Sequence, residues 1–135
     1  MHTMTLHTPR LGSGLAWTLS ACALALGLAA PVRAADLKVG ADLFAEHCAE
    51  CHSLKEGKHK KGPSSFGVFG RKAASLEGVA YSDALKASNI VWTAQALDAY
   101  LTQPKKAVPG GKMKYDGLPD ATARANLIAY LATVK

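Results

Sequence analysis

Apolar residues recur three and four positions apart in three segments of the chain, the spacing of an amphipathic helix. The first segment leads into residue 48, the second begins with Thr93 as N-cap and must end before Pro104, and the third begins with Asp120 as N-cap. A short helical turn is expected over residues 82–88. The apolar stripes are, in chain order, Leu37, Gly40, Ala41 and Phe44; Leu97, Tyr100 and Leu101; and Leu127, Tyr130, Leu131 and Val134. No segment of useful length alternates like a strand, so the pattern predicts an all-α domain.

The apolar residues near the start of the chain form a separate pattern. Arg10 is followed by residues 11–30, an apolar run that contains a few weakly polar positions. The run ends in small residues, and no acidic residue occurs before position 36. This arrangement predicts a secretory signal peptide, residues 1–34, that is cleaved on export. Two alternatives stay open. The run is about long enough to be kept as a membrane anchor, and Leu19-Ser20-Ala21-Cys22 resembles a lipoprotein box in which Cys22 would be acylated.

Export to the periplasm changes the meaning of the cysteines. The remaining residues, 35–135, are predicted to form a single domain and carry 14 Lys and Arg against 10 Asp and Glu. Free thiols are poorly tolerated in an oxidising compartment. A disulfide between Cys48 and Cys51 would close too small a loop to restrain the unfolded chain. The two cysteines are therefore expected to serve another purpose.

Cys48-Ala49-Glu50-Cys51-His52 is the C-x-x-C-H pattern of covalent haem attachment. Residues three apart on a helical turn share a face, so both sulfurs can form thioethers with one flat ligand while His52 binds its iron. A thioredoxin-like redox pair would need a βαβ pattern around the motif, and a structural zinc site would need further ligands. His47 and His59 could supply these, but their spacing is poor. The motif favours one covalently attached haem c.

A haem bound through His52 leaves its sixth coordination position to be assigned. Met113 is the only methionine after the leader, and it lies in a polar Pro-Gly-Gly-Lys loop that has little apolar reason to bury a thioether. We therefore predict Met113 as the second axial ligand, a choice that raises the redox potential relative to two histidines. His47 and His59 are the alternatives, but both lie within eight residues of His52, too close to reach the opposite haem face easily.

Further motifs follow in order along residues 35–135. They are Gly40 and Phe44; Gly62-Pro63; Phe69-Gly70-Arg71-Lys72; Tyr81-Ser82-Asp83-Ala84; Trp92; Tyr100-Leu101; Pro104-Lys105-Lys106; Pro109-Gly110; Lys112-Met113; and Leu127-Ile128-Ala129-Tyr130-Leu131. Together with the haem motif they resemble the class I c-type cytochromes, close to mitochondrial cytochrome c and its bacterial periplasmic relatives. The resemblance implies a small cytochrome c fold, with three to five helices and long loops wrapped around one covalently bound haem.

The resemblance also implies roles for individual residues. The Pro63 carbonyl is expected to accept a hydrogen bond from the second nitrogen of His52, which fixes the ring and raises its basicity. Tyr100 matches a tyrosine beside the methionine sulfur. Three residues match positions that hydrogen-bond a haem propionate: Arg71, Tyr81 and Trp92. Tyr115 stands where the family often has a phenylalanine that shields the haem edge.

Two long loops, residues 53–79 and 103–119, separate the predicted helices. Loops of this length normally argue against an assignment of secondary structure in a compact domain. Here they can wrap around a haem, which would add apolar core volume to a chain that has few aromatic residues. The first and last helices are too short to be stable alone, so we expect them to pack together. Gly40 would allow their backbones to approach closely.

Charge is concentrated in the middle of the chain. Residues 55–114 hold 11 Lys and Arg against 4 Asp and Glu, whereas the rest of residues 35–135 carries an acidic excess of 3. Basic loops around a redox edge would steer a protein towards acidic docking faces of membrane or periplasmic redox proteins. Nucleic-acid binding also suits basic proteins, but export argues against it.

These features favour a soluble, monomeric, monohaem electron carrier, not an enzyme, of a periplasmic respiratory or photosynthetic chain. No small-molecule substrate is expected. One alternative is a haem subunit bound permanently to a periplasmic dehydrogenase. The other is a haem peroxidase or sensor, which needs an open sixth site and a distal acid or base, and no His or Arg suggests itself for that role.

Overall fold

The computed structural model describes residues 34–135, and these form an all-α fold, as the hydrophobic pattern predicts. The five helices are α1 (Leu37–His47), α2 (Asp83–Ala87), α3 (Ala94–Thr102), α4 (Pro104–Ala107) and α5 (Ala121–Thr133). The described residues contain no strand beyond an isolated antiparallel bridge between Lys72 and Val91. None of their helices combines the length and apolar character needed to cross a bilayer. The predicted leader, with Cys22, lies outside the described residues except for Ala34.

Short polar side chains define where the helices begin. The Thr93 hydroxyl accepts from Ala96 N at 3.2 Å at the start of α3, and Asp120 accepts from Ala123 N at 2.6 Å at the start of α5. Both predicted N-caps are therefore confirmed. Asp36 caps α1 in the same way, with its carboxylate accepting from the second and third backbone amides at 2.9 and 3.1 Å.

Helices α1 and α5 pack directly against each other, as predicted. A Cβ on Gly40 would lie 2.2 Å from the Asn126 carbonyl oxygen and 2.6 Å from Tyr130 Cβ, so only glycine permits this crossing. The rings of Phe44 and Tyr130 lie 6.3 Å apart beside it. Asp36 N donates to Asn126 Oδ1 at 2.9 Å and ties the start of α1 to α5. The crossing brings the end of α1, where the cysteine motif begins, onto the main core.

That core gathers apolar side chains from α1, α3, α5 and the loops. Its buried members are Phe44, Ala73, Trp92, Leu97, Leu101, Leu118, Leu127, Ile128 and Leu131. Partly buried Cys48, Tyr100 and Tyr115 pack against them. The candidate site is thus continuous with the hydrophobic core.

The prediction of a continuous loop over residues 103–119 is wrong at its start, where α4 forms. Pro104 does end α3, because a residue before proline avoids helical geometry, and Gln103 has φ −160° and ψ 84°. Proline is nevertheless well suited to the first position of a helix, where its missing N–H is not needed. The chain therefore restarts a single turn at Pro104 instead of remaining irregular.

Candidate functional site

The Cys48–His52 segment forms a tight turn that continues from the end of α1. Cys48 N donates to Phe44 O at 2.9 Å, and the Cys51 and His52 amides donate to Cys48 O at 3.0 and 2.9 Å. Both thiols are free and half-buried. Burial, and to a lesser extent the neighbouring Cys51 thiol, raises the pKa of Cys48 to about 11. Burial thus favours an uncharged sulfur at Cys48.

The His52 ring is fixed by two neighbours in the loop that follows. Its Nδ1 donates to the Pro63 carbonyl oxygen at 2.7 Å, the contact that the family resemblance implies. A Cβ on Gly62 would lie 2.5 Å from His52 Cε1, so the glycine leaves the space that the ring occupies. With Nδ1 carrying the shared proton, Nε2 has the lone pair that a metal ion needs.

These groups fit a covalently bound haem c. The turn offers two half-buried sulfurs and one oriented imidazole, which is the donor set that the C-x-x-C-H pattern supplies. The Tyr115 hydroxyl is buried and has no hydrogen-bond partner among residues 34–135, although buried polar groups are normally paired. Donor chemistry and an orphaned polar atom thus both indicate that a further group completes this region.

Residues 111–119, called the Met113 segment below, form neither helix nor strand, and exposure alternates along residues 111–116. Met113 and Tyr115 are half-buried, whereas Lys112, Lys114 and Asp116 are exposed. Tyr115 packs its ring 6.1 Å from that of His47, and desolvation, with nearby Cys48 and Glu46 adding to it, raises the Tyr115 pKa. Through Tyr115 the segment reaches the end of α1, beside the first cysteine.

The two alternative histidine ligands have other neighbours. His59 Nδ1 accepts a hydrogen bond from Ser64 N at 3.1 Å within the loop that follows the motif. His47 lies in the last turn of α1 against the Tyr115 ring. Neither contact favours these residues over Met113 as the second axial ligand.

The predicted propionate-binding residues form one neighbourhood with Tyr100. Trp92 N donates to Arg71 O at 2.9 Å, and the buried Trp92 ring lies 5.0 Å from the Tyr100 ring. Burial lowers the pKa of Arg71, and nearby Tyr81 opposes that shift. Burial also raises the pKa of Tyr100.

The Arg71 guanidinium makes two contacts that the sequence did not predict. Its Nη1 donates to Phe66 O at 2.6 Å and its Nη2 to Ser64 O at 2.9 Å. Arg71 therefore braces the loop after the haem motif in addition to any contact with a cofactor.

Two lysines of the basic region 55–114 contact the haem motif itself. Lys60 Nζ donates to the Ala49 carbonyl, and Lys61 Nζ lies 2.5 Å from Glu50 Oε1. This exposed pair raises the pKa of Lys61 and lowers that of Glu50. The lysines of residues 105–114 are all exposed, and only Lys105 forms an ion pair with a described residue, at 2.9 Å from Asp116.

Two residues that support the site were missed by the sequence analysis. Ser64 is buried, and its hydroxyl donates to Lys55 O at 2.6 Å and accepts from Phe66 N at 3.1 Å. Arg124 is buried on α5 and contacts the end of the Met113 segment. The sequence carried a signal for Arg124 only, because it precedes Leu127 by three residues and so lies on the core-facing stripe.

Comparison with known proteins points to a single family. The cytochrome c family model matches residues 37–135. Cytochrome c of Gibberella zeae is 48% identical over 97 residues, covering 71% of this chain and 92% of that protein. Cytochrome c2 of Rhodopila globiformis is 47% identical over 96 residues, covering 71% and 91%. The cytochrome c-type cyt cy of Rhodobacter capsulatus is 48% identical over 99 residues, covering 73% of this chain but 49% of that longer protein.

Proposed function

The chain belongs to the cytochrome c family, and on that premise we propose that it is a soluble carrier of single electrons between redox complexes of a periplasmic respiratory or photosynthetic chain. Its cofactor is one covalently attached haem c, whose iron gains and loses the electron. The chain's own task is to hold both axial positions, limit access of water and present a docking surface.

Each site residue has a defined task in this proposal. Cys48 and Cys51 would hold the haem through thioethers, and His52 and Met113 would bind its iron. Arg71, Tyr81 and Trp92 would hydrogen-bond its propionates, which as buried carboxylates need such donors. Tyr100 supports Met113 from within the core.

The observation that carries the proposal is the fixed orientation of His52. The Pro63 carbonyl holds Nδ1 at 2.7 Å, and the missing side chain of Gly62 leaves room for the ring alone. A ligand held this way keeps the same position in both oxidation states, which keeps structural change on electron transfer small. An enzyme or sensor would need the sixth position, opposite His52, to open, so the proposal also requires that Met113 stays bound.

The basic segment 105–114 supplies the docking surface in this proposal. Its four lysines are exposed: Lys105 and Lys106 lie in α4, and Lys112 and Lys114 are the chain neighbours of Met113. We propose that they steer the protein, as a monomer, towards acidic faces of its electron donor and acceptor, which raises the encounter rate at low salt.

The test is electron transfer by the purified holoprotein, matured in its own host. The reduced protein should be oxidised by membranes of that host as a freely diffusing reactant, with a rate proportional to its concentration and falling as salt rises. Co-purification with a dehydrogenase at every salt concentration would favour the permanently bound subunit. Carbon monoxide binding to the ferrous protein at neutral pH would favour a peroxidase or sensor.

A further inference from the structure

Arg124 is the one charged side chain in the described part of the chain that is almost fully buried. It lies in the first turn of α5, and 8% of its surface is exposed. Burying a guanidinium is costly unless its N–H groups are paired. The groups that pair with the Arg124 guanidinium therefore indicate which parts of the structure it holds together.

All the side-chain hydrogen bonds of Arg124 lie between α3 and the segment before α5. Its Nε donates to Asp98 Oδ1 at 2.7 Å, and its Nη1 donates to the carbonyl oxygens of Leu118 and Pro119 at 2.9 and 2.8 Å. One planar group thus joins α3, α5 and the backbone at the end of the Met113 segment. A guanidinium can do this because its N–H groups form a rigid fork.

The Met113 segment is held mainly at its ends. Leu118 N donates to Leu101 O at 2.8 Å, and Gly111 N donates to Val108 O at 2.9 Å. Between them, residues 112–117 make no backbone-to-backbone hydrogen bond within residues 34–135. Backbone hydrogen bonds therefore fasten this segment only at its two ends, with the Tyr115 ring packed against His47 between them.

Arg124 fastens the second end together with the backbone hydrogen bond from Leu118 N to Leu101 O. The other ion pair on the segment, Lys105 with Asp116, has side chains that are 66% and 97% exposed, and such pairs contribute little. Hydrogen bonds from a buried charged group contribute more, and their loss would leave the carbonyl of buried Leu118 without this donor.

We propose that Arg124 is a positioning residue that keeps Met113 on the haem iron by clamping the Leu118 and Pro119 carbonyls. This inference rests on the proposed function, in which Met113 is the second axial ligand. Without the clamp, the segment samples positions in which the sulfur has left the iron, and an external ligand can take its place.

The test compares Arg124→Gln with Asn126→Ala in the full-length ferric holoprotein. Asn126 is buried on the same helix but ties α5 to the start of α1, so its variant reports general destabilisation of α5. The measurements are imidazole affinity, the absorption band of a thioether-ligated ferric haem, and stability to urea. Arg124→Gln should bind imidazole at least tenfold more tightly than the parent. This factor is equivalent to about 1.4 kcal/mol in favour of the state in which Met113 has left the iron.

The control decides between a specific and a general effect. Asn126→Ala should lose stability while its imidazole affinity stays within about twofold of the parent, which is less than about 0.5 kcal/mol. Equal affinities in Arg124→Gln and Asn126→Ala would overturn the proposal. If Arg124→Gln yields no holoprotein, Arg124→Lys replaces it, and a threefold gain in affinity over the control is the required result.

Failure of this inference differs from failure of the axial assignment. If Met113 is not a ligand, the parent protein lacks the thioether band and Met113→Ala leaves its spectrum unchanged. If Met113 is a ligand but Arg124 does not position it, the parent shows the band and Arg124→Gln keeps the parent's imidazole affinity.

Discussion

Replacing Gly62 with alanine would put a methyl group against the His52 imidazole. The added carbon would lie 2.5 Å from Cε1, 3.0 Å from Nδ1 and 3.1 Å from Nε2, whereas ordinary contacts begin at 3.4 Å. The backbone of Gly62 is itself fixed, because its N–H donates to Cys51 O at 2.8 Å. Most of the shift must therefore come from the ring.

The size of that shift sets the expected cost. The ring must withdraw by about 1 Å, which would stretch the 2.7 Å contact with Pro63 O beyond hydrogen-bonding distance. Overpacking costs about 1–3 kcal/mol and the lost hydrogen bond about 1 kcal/mol. We expect Gly62→Ala to lower the free energy of unfolding by about 2–4 kcal/mol, and Tm by roughly 10–20 °C for a domain of this size.

The same change should raise the midpoint potential. A hydrogen bond from Nδ1 to a carbonyl makes the imidazole a better donor and stabilises ferric iron. Loss of about 1 kcal/mol of this preference corresponds to about +40 mV for one electron. Thermal unfolding followed at the haem absorbance and a redox titration measure the two effects separately.

Gly57→Ala is the matched control. It adds the same methyl group in the same loop, where no atom lies within 4 Å, although φ of +63° makes some strain unavoidable. It should lose some stability and keep the parent potential. A Gly62→Ala protein with the parent's Tm and potential would refute the reasoning, because the ring would then not need the empty space.

Three further changes test other parts of the structure. Met113→Ala should lower the midpoint potential by on the order of 100 mV, a fraction of the roughly 0.8 V range that axial ligands span, and should let cyanide bind the ferric iron. An unchanged potential would remove Met113 from the ligand set. Neutralising Lys105, Lys106 and Lys112 together should slow reduction by a partner about tenfold at low ionic strength and little at high salt, and an unaltered salt dependence would exclude this docking surface. Gly40→Ala should lower the free energy of unfolding in urea by about 1–3 kcal/mol although alanine has the better helix propensity, because its Cβ would lie 2.2 Å from the α5 backbone. A gain in stability would contradict the close crossing.

The helices could be predicted because their signals are local. Thr93 and Asp120 are short polar side chains that satisfy the free amides of a first helical turn, and the structure uses them in this way. Pro104 ended α3 as expected, but its second effect, the restart at α4, was missed. The same proline geometry that disfavours helix at Gln103 favours it at the next position.

The sequence by itself determined the chemistry of the site and the class of fold. The spacing of Cys48, Cys51 and His52 fixes two sulfurs and an imidazole on one turn, whatever surrounds them. The family resemblance implied the contact between Pro63 and His52, but only the tertiary structure decided the other contacts that hold these groups. Those neighbours are distant in the chain or approach through backbone atoms. Gly62 leaves room for a ring ten residues away, and Arg124 ties α5 to carbonyls whose position no side-chain pattern encodes. Such contacts depend on how loops return to the helices, and that is set by packing of the whole domain.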